Sequence, residues 1–445
     1  MKKLLSAISI LVLLPISILA QFNVSGDLTP SGMLRISDGS LIDLPFRLGN
    51  ISVDYAYGDF ELKTVVALET RWKDPEISED MFKVREAYVL WYPSFGEVKL
   101  GKMIQAWGAA DANNPTDNLS PYDYYYMFLA GTDRKLGSMS LGVKTYVSDF
   151  KIEVVALPEF EANRFPINEP DFPIQIPIPD GAQYIYPETE FEIGGRIQYA
   201  MGIGDLSASY FKGNDRSFSP AGLKLDLASM AMGGSPFASY LTYRETDVFG
   251  ADAVLFPGNW TLRGEFAYFR TKTPDIDIDF SKFIYDAEYL QSVIQVEYAF
   301  PNTVQLMAQF ISNNTQELKS SLEMEMMLQD TSNHAMDPIR TQLTQVGVPD
   351  FSAGMGTPFA LIADKVVILS SMVTLLDNAL ELSGMFMVNL DETGYMANIG
   401  TTYSIMEGIN LETTLGYFIG GDEEGNKFKQ LEDFSNLNLG ISYSF

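Results

Sequence analysis

Leu380-Glu381-Leu382-Ser383-Gly384-Met385-Phe386-Met387-Val388-Asn389-Leu390 decides the fold. Leu380, Leu382, Gly384, Phe386, Val388 and Leu390 share one side of an extended chain, and Glu381, Ser383, Met385, Met387 and Asn389 share the other. Successive side chains of a strand point to opposite faces, so the segment has one oily face and one mostly polar or small face. The pattern continues outward in both directions. Tyr395, Ala397, Ile399, Tyr403 and Ile405 alternate with Met396, Asn398, Gly400, Thr402 and Ser404. Leu411, Thr413, Leu415 and Tyr417 alternate with Glu412, Thr414, Gly416 and Phe418. Upstream, Ile294, Val296, Tyr298 and Phe300 alternate with Val293, Gln295, Glu297 and Ala299. Val304, Leu306, Ala308 and Phe310 do the same against Thr303, Gln305, Met307 and Gln309.

Extending this reading predicts strands near 22–38, 46–57, 60–72, 82–92, 96–106, 137–148, 150–157, 189–201, 204–213, 240–256, 259–271, 286–300, 303–313, 361–374, 378–390, 394–405, 409–420 and 435–445. That is about 18, with 14 to 18 compatible because 22–38 and 240–256 each read as one bent strand or two. A soluble sandwich also alternates, but the connections here are sorted. Gly58-Asp59, Ser148-Asp149, Gly202-Ile203, Pro257-Gly258, Pro301-Asn302 and Glu407-Gly408 are short and carry turn chemistry. The gaps between them, 107–136, 158–188, 214–239, 314–360 and 421–434, are long. Short periplasmic turns and long extracellular loops are the pattern of an all-β, transmembrane, antiparallel up-and-down β-barrel.

Composition narrows the rest. The chain has 445 residues, of which 46% are hydrophobic and 20% charged, which excludes a disordered tail. Thirty Lys plus Arg face 58 Asp plus Glu, a formal charge of −28, so a phosphate-backbone partner is excluded and no nucleic acid is expected. Without cysteine there are no disulfides, thiol nucleophiles or Cys-based metal sites. The one histidine, His334, excludes sites that need two imidazoles. Lys2 and Lys3 precede an apolar run over 4–19 and then Ala20, which reads as a secretory signal over 1–20. Its removal takes the formal charge to about −30. No other stretch approaches 18 apolar residues, so residues 21–445 form one barrel domain if they enter a membrane.

The closing stretch carries a resemblance. Leu437, Leu439, Ile441, Tyr443 and Phe445 share one face, and Asn438, Gly440, Ser442 and Ser444 the other. A chain ending in Phe behind alternate apolar residues resembles the assembly signal of Gram-negative outer-membrane barrels. There, Leu439, Ile441, Tyr443 and Phe445 would be read by the insertion machinery, and the last strand would close against the first. Gly101-Lys102, then Trp107-Gly108-Ala109-Ala110-Asp111 and Asn114-Pro115, Asp117 and Pro121-Tyr122-Asp123, looks like a strand-and-loop motif of porin-like barrels. The resemblance implies residence in the bacterial outer membrane, contact with its lipids, periplasmic chaperones in assembly, and passage of small hydrophilic solutes. No periplasmic domain is read ahead of the barrel, so coupling to an energy-transducing plug is not expected.

Candidate lumen residues follow from the alternation, because lipid penalises charge by about 2–4 kcal/mol at mid-depth. Glu61, Lys63, Glu69, Arg71, Arg263, Glu265, Glu297, Glu381 and Glu412 are expected inside, with Gln295, Gln305 and Gln309 beside them. Asp111 and Asp117 join them if the loop 107–136 folds inward and narrows the pore. Tyr122, Tyr124, Tyr125 and Tyr126 then form a solute platform, pack the loop down, or belong to the interfacial girdle. The oxygens of Asp111, Asn113, Asn114, Asp117, Asn118 and Asp123 could hold calcium, but the spacing lacks the Gly and distal Glu of an EF-hand loop, and Asx-turns explain them more simply. No metal or other cofactor is expected. Seven prolines make 158–188 a stiff loop, read as surface-exposed or as a lid. The run 317–328, with Leu318, Leu322 and Met326 on one face, reads as a short helix within the long loop 314–360. The expected activity is passive, cation-preferring diffusion without covalent chemistry. The alternative is a plugged surface receptor or adhesin whose outer loops bind a ligand.

Overall fold

The computed structural model describes residues 22–445 except 74–80, 112, 130, 177, 180, 227–228, 230–236, 279, 302 and 325–336. The segment 1–20 read as a secretory signal and His334 lie outside the described residues. Eighteen antiparallel strands close into one barrel. The first is bent. Phe22–Leu28 and Ser31–Arg35 share it, broken where Pro30 has no amide hydrogen to give the ladder. Both halves pair with the last strand, Asn436–Ser444, as Asp27 opposite Ser444 and Ser31 opposite Gly440. Gly26 and Phe445 exchange two backbone hydrogen bonds of 3.0 Å, which completes the seam. A closed sheet leaves no unpaired edge, which is what hydrocarbon demands.

The two faces differ as alternation predicts. Leu439, Ile441, Tyr443, Ile399, Leu411 and Leu369 point outward and are exposed, forming an oily belt. Aromatic pairs collect at the short-turn end: Phe60 with Trp91, Phe150 with Tyr199, Trp260 with Tyr298, and Tyr443 with Phe445. Such rings sit at headgroup level, one end dry and one wet. The tight turns use left-handed backbone where sequence permits it, at Gly58, Gly258 and Gly408 and also at Ser148 and Asp377.

One expectation changes, and two readings left open resolve. The helix over 317–328 is instead strand as far as residue 324: Val304–Met324 runs on and pairs with Phe280–Ala299 in one tall hairpin. Side chains four apart share a face in a strand as well as in a helix, so Leu318 and Leu322 fit both, and the partner strand decides. The helix of this loop is Asp337–Val346, whose Leu343 is buried against the hairpin side chains Phe283 and Tyr285. The segment 240–256 is two strands, Phe237–Thr242 and Glu245–Leu255, and only the second belongs to the barrel wall. The loop 158–188, read as surface-exposed or as a lid, keeps exposed residues such as Glu159 and Pro170 but does not stay outside the barrel. It turns into the mouth, where Phe172 is buried and Arg164 exchanges backbone hydrogen bonds with Tyr122 and Tyr124 of the inserted loop.

Candidate functional site

The site is the lumen and what fills it. The chain leaves the strand Gly96–Met103 and turns inward. Trp107 is buried, and Gly108 follows with φ +102°. A Cβ on Gly108 would stand 2.5 Å from the Glu265 carboxylate, so the residue is small for two reasons at once. Trp107 and Leu119 pack on Gly194, an inward position of the strand Glu192–Met201, where a Cβ would meet both at 2.8 Å.

Glu265 is the latch. It is 0% exposed on the strand Trp260–Lys272 and accepts from the amides of Ala109 and Ala110, from Asn114 Nδ2 at 2.9 Å and from Thr116 Oγ1 at 3.0 Å. Beside it, Gln295 accepts from the Asp111 amide at 3.0 Å and donates to its carboxylate at 2.9 Å. Gln309 donates to the Asp111 carbonyl at 2.9 Å and accepts from Asn113 at 3.0 Å. Arg263 donates to the Ala109 carbonyl at 2.8 Å, and it pairs with Asp111 at 3.2 Å and with Glu297 at 2.8 Å. Six of the sequence-predicted lumen residues are thus gathered, five of them as the dock for the loop that carries the sixth, Asp111. Buried polar groups need partners, and the loop backbone and these side chains satisfy one another.

The remaining candidates are scattered. Asp117 is inside the loop, in a buried ion pair of 2.8 Å with Lys135. Burial pulls the Lys135 ammonium below the ordinary lysine value, and Asp117 opposes that pull. Glu69 holds Arg164 at 2.7 Å and the Tyr126 hydroxyl at 2.8 Å. Arg71 lies just past its strand and grips Glu169 of the Pro-rich loop. Tyr122, Tyr124 and Tyr126 are buried, so they pack the loop down. Glu61, Lys63 and Glu381 sit nearer the short turns, Gln305 lines the open side, and Glu412 faces a separate cavity described below. The Asp117 and Asp123 carboxylates pair with Lys135 and Arg164, while Asn113 Oδ1 and one Asp117 oxygen are buried without a hydrogen bond; no group of three or more metal-binding side chains gathers among the described residues.

Two latches escaped the sequence reading. Gln291, on the same inward register as Gln295, holds the segment 354–357 through the Met355 carbonyl and the Thr357 amide at 3.1 and 2.8 Å. Asp215 accepts from Arg244 at 2.7 Å, and Arg244 reaches the Ser352 carbonyl at 2.6 Å. The inward glutamines 291, 295 and 309 were the available signal: an uncharged side chain that both donates and accepts suits a docked backbone.

The inserted segments leave part of the lumen open. One cavity of about 590 Å³ lies between Asp111, Glu297, Gln305 and Met385. A second, of about 430 Å³, lies against Glu412, Asn438 and Phe418. Both are lined by Phe128, Asn398 and Thr414, so they adjoin. On another wall Lys144 lies between two carboxylates, 3.7 Å from Glu97 and 4.0 Å from Glu153.

No family model matches the sequence, and no curated protein does. Solved structures do resemble it. The outer membrane protein OpdK of Pseudomonas aeruginosa superposes with a TM-score of 0.52 at 9% identity, over 96% of this chain and 99% of that one. OpdL of the same organism gives 0.50 at 10% identity, over 96% and 99%. The likeness is one of fold: this chain has the architecture of a bacterial outer-membrane β-barrel.

Proposed function

We propose that the protein is an outer-membrane channel through which small hydrophilic solutes diffuse, with cations preferred. The observation that carries this is the latched loop 107–120, which narrows one side of the lumen and leaves adjoining cavities of about 590 and 430 Å³ along the other. Size, hydration and the field of the lining groups then select the solute, as in other pores. Cation preference draws its support from the acidic excess and from Glu412, whose charge no described cation offsets. The test is a planar bilayer holding the purified barrel under a salt gradient. The expected result is a stable open current that reverses on the cation side, and reversal on the anion side would defeat the preference.

A second reading, a plugged receptor, is favoured by the three segments that enter the lumen and by the tall hairpin Phe280–Ala299 and Val304–Met324. Absence of any stable current from folded protein would select it over the channel.

A further inference from the structure

We infer that the open side of the lumen binds elongated organic cations, with an apolar or ring-bearing body and a terminal ammonium. This rests on the channel reading and names the solute class for it.

The inner face there is set by register. Across the strands Gly394–Met406, Ile409–Gly420 and Asn436–Ser444, one rung reads Asn398, Gly416, Asn436. The next reads Gly400, Thr414, Asn438, and the third Thr402, Glu412, Gly440. Each rung carries one glycine, so the wall recedes there, and the cavity of about 430 Å³ occupies the recess. Its lower part is rich in acceptors. The Oδ1 atoms of Asn398 and Asn438 are buried without a hydrogen-bond partner. A buried acceptor left unmade costs about 1–3 kcal/mol, and turning either amide toward the recess to meet a donor on a solute would relieve that cost. Among the described residues no cation pairs with Glu412. Arg47, the cation at the cavity's other end, is already engaged, 3.6 Å from Asp133 and stacked 4.0 Å over the Tyr126 ring. Asp133 also holds Arg85 at 3.0 Å, so the balance of the whole cavity is mixed, but its Glu412 end keeps a carboxylate with no cation paired to it among the described residues.

Its upper part is aromatic. Phe128, Phe418 and Phe434 form a triangle with centroids 5.9, 6.1 and 6.3 Å apart. Rings accept apolar bodies and attract cations over their faces. Phe418 and Glu412 are six residues apart on one strand, about 20 Å of extended chain, so the occupant is long or steps between the two ends. An anion of the same shape would meet the carboxylate and the amide oxygens with the wrong sign.

The test uses the full barrel folded in detergent, with heat-shifted gel mobility confirming the folded state of each variant. Calorimetric titration compares 10-phenyldecylammonium, long enough to reach from the rings toward Glu412, with 10-phenyldecanoate and with decylammonium. We expect the first to bind at least about 10-fold more tightly than either, and Glu412→Gln or Phe418→Ala to remove about 10-fold. Equal affinities for the three probes, or no change in either variant, would overturn the inference. The same probes are added to the bilayer. Selective binding without any current leaves this site standing and removes the channel reading. Current without selective binding or block leaves the channel and removes this site.

Discussion

Two stretches of the inner wall are built from the same chemistry and meet opposite fates. On the strands carrying Arg263, Glu265, Gln295 and Gln309, inward carboxylate, guanidinium and amide groups are saturated by the loop 107–120. On the strands carrying Asn398, Glu412, Thr414 and Asn438, the inward groups face a cavity, and two of the amide oxygens have no partner. Residue type does not separate the two; what separates them is whether a segment from elsewhere in the chain arrives. A strand's alternation says that a carboxylate faces inward, and only the tertiary structure says whether it then holds water, solute or backbone.

The largest effect should come from emptying the saturated wall. Glu265→Ala removes the acceptor of four hydrogen bonds and leaves their donors buried. Leaving a buried donor without its acceptor costs about 1–3 kcal/mol, and here four are left at once. We expect a lower melting temperature in detergent and a larger, noisier single-channel conductance, while ligand binding at Glu412 is unchanged. A conductance equal to that of the parent would mean that the loop is held by something else. Next in size is Gly108→Ala. It places a methyl 2.5 Å from the carboxylate and forces an L side chain to φ +102°. Overpacking and backbone strain of this sort cost about 1–3 kcal/mol each. The expected change is the same in direction and smaller, read by the same two measurements.

The ease of reading the barrel and the difficulty of reading its contents have one cause. Leu380–Asn389 shows its fold in its own alternation, and its neighbours along the chain are its neighbours in the sheet. The seam at Phe445 was legible for a related reason, because a closed sheet must join its ends. By contrast, Asp111 meets Gln295 and Gln309 across 184 and 198 residues, and nothing local encodes that meeting. The nearest local sign was Trp107-Gly108, a bulky knob followed by a residue tolerant of left-handed backbone. The helix expected at 317–328 failed because even spacings of apolar residues fit two periods. The Pro-rich loop was legible as stiff, and as either a surface loop or a lid, but its partners inside the mouth were not legible. Its carboxylates Glu169 and Asp171 find Arg71 and Arg35 far away in sequence.

That loop offers the finest test, because it covers the open wall and leaves the saturated one alone: Phe172 lines the cavity above Glu412. Burial alone would raise the Glu169 carboxyl, but hydrogen bonds from Arg71 and Tyr125 outweigh it and hold it below the usual value of 4.5. Asp171 behaves alike, with Arg35 and the Asp43 amide outweighing burial, and lies below 3.8. Groups whose folded values are depressed stabilise fully above their unfolded values and lose that contribution as pH falls through the folded ones. The clamp should therefore hold at neutral pH and loosen only below about pH 4. Asp123 works against this, since burial raises it above 3.8 and its protonation favours the folded loop, so release should be partial. Arg71→Ala removes the partner that depresses Glu169, and an exposed pair of this kind contributes about 1 kcal/mol or less. The expected outcome is protease access to 158–188 that begins at higher pH in the variant than in the parent. An identical pH profile in both would place the hold on the loop in Phe172 packing and the Arg164 contacts, and would leave the Arg71 pair without a role in covering the open wall.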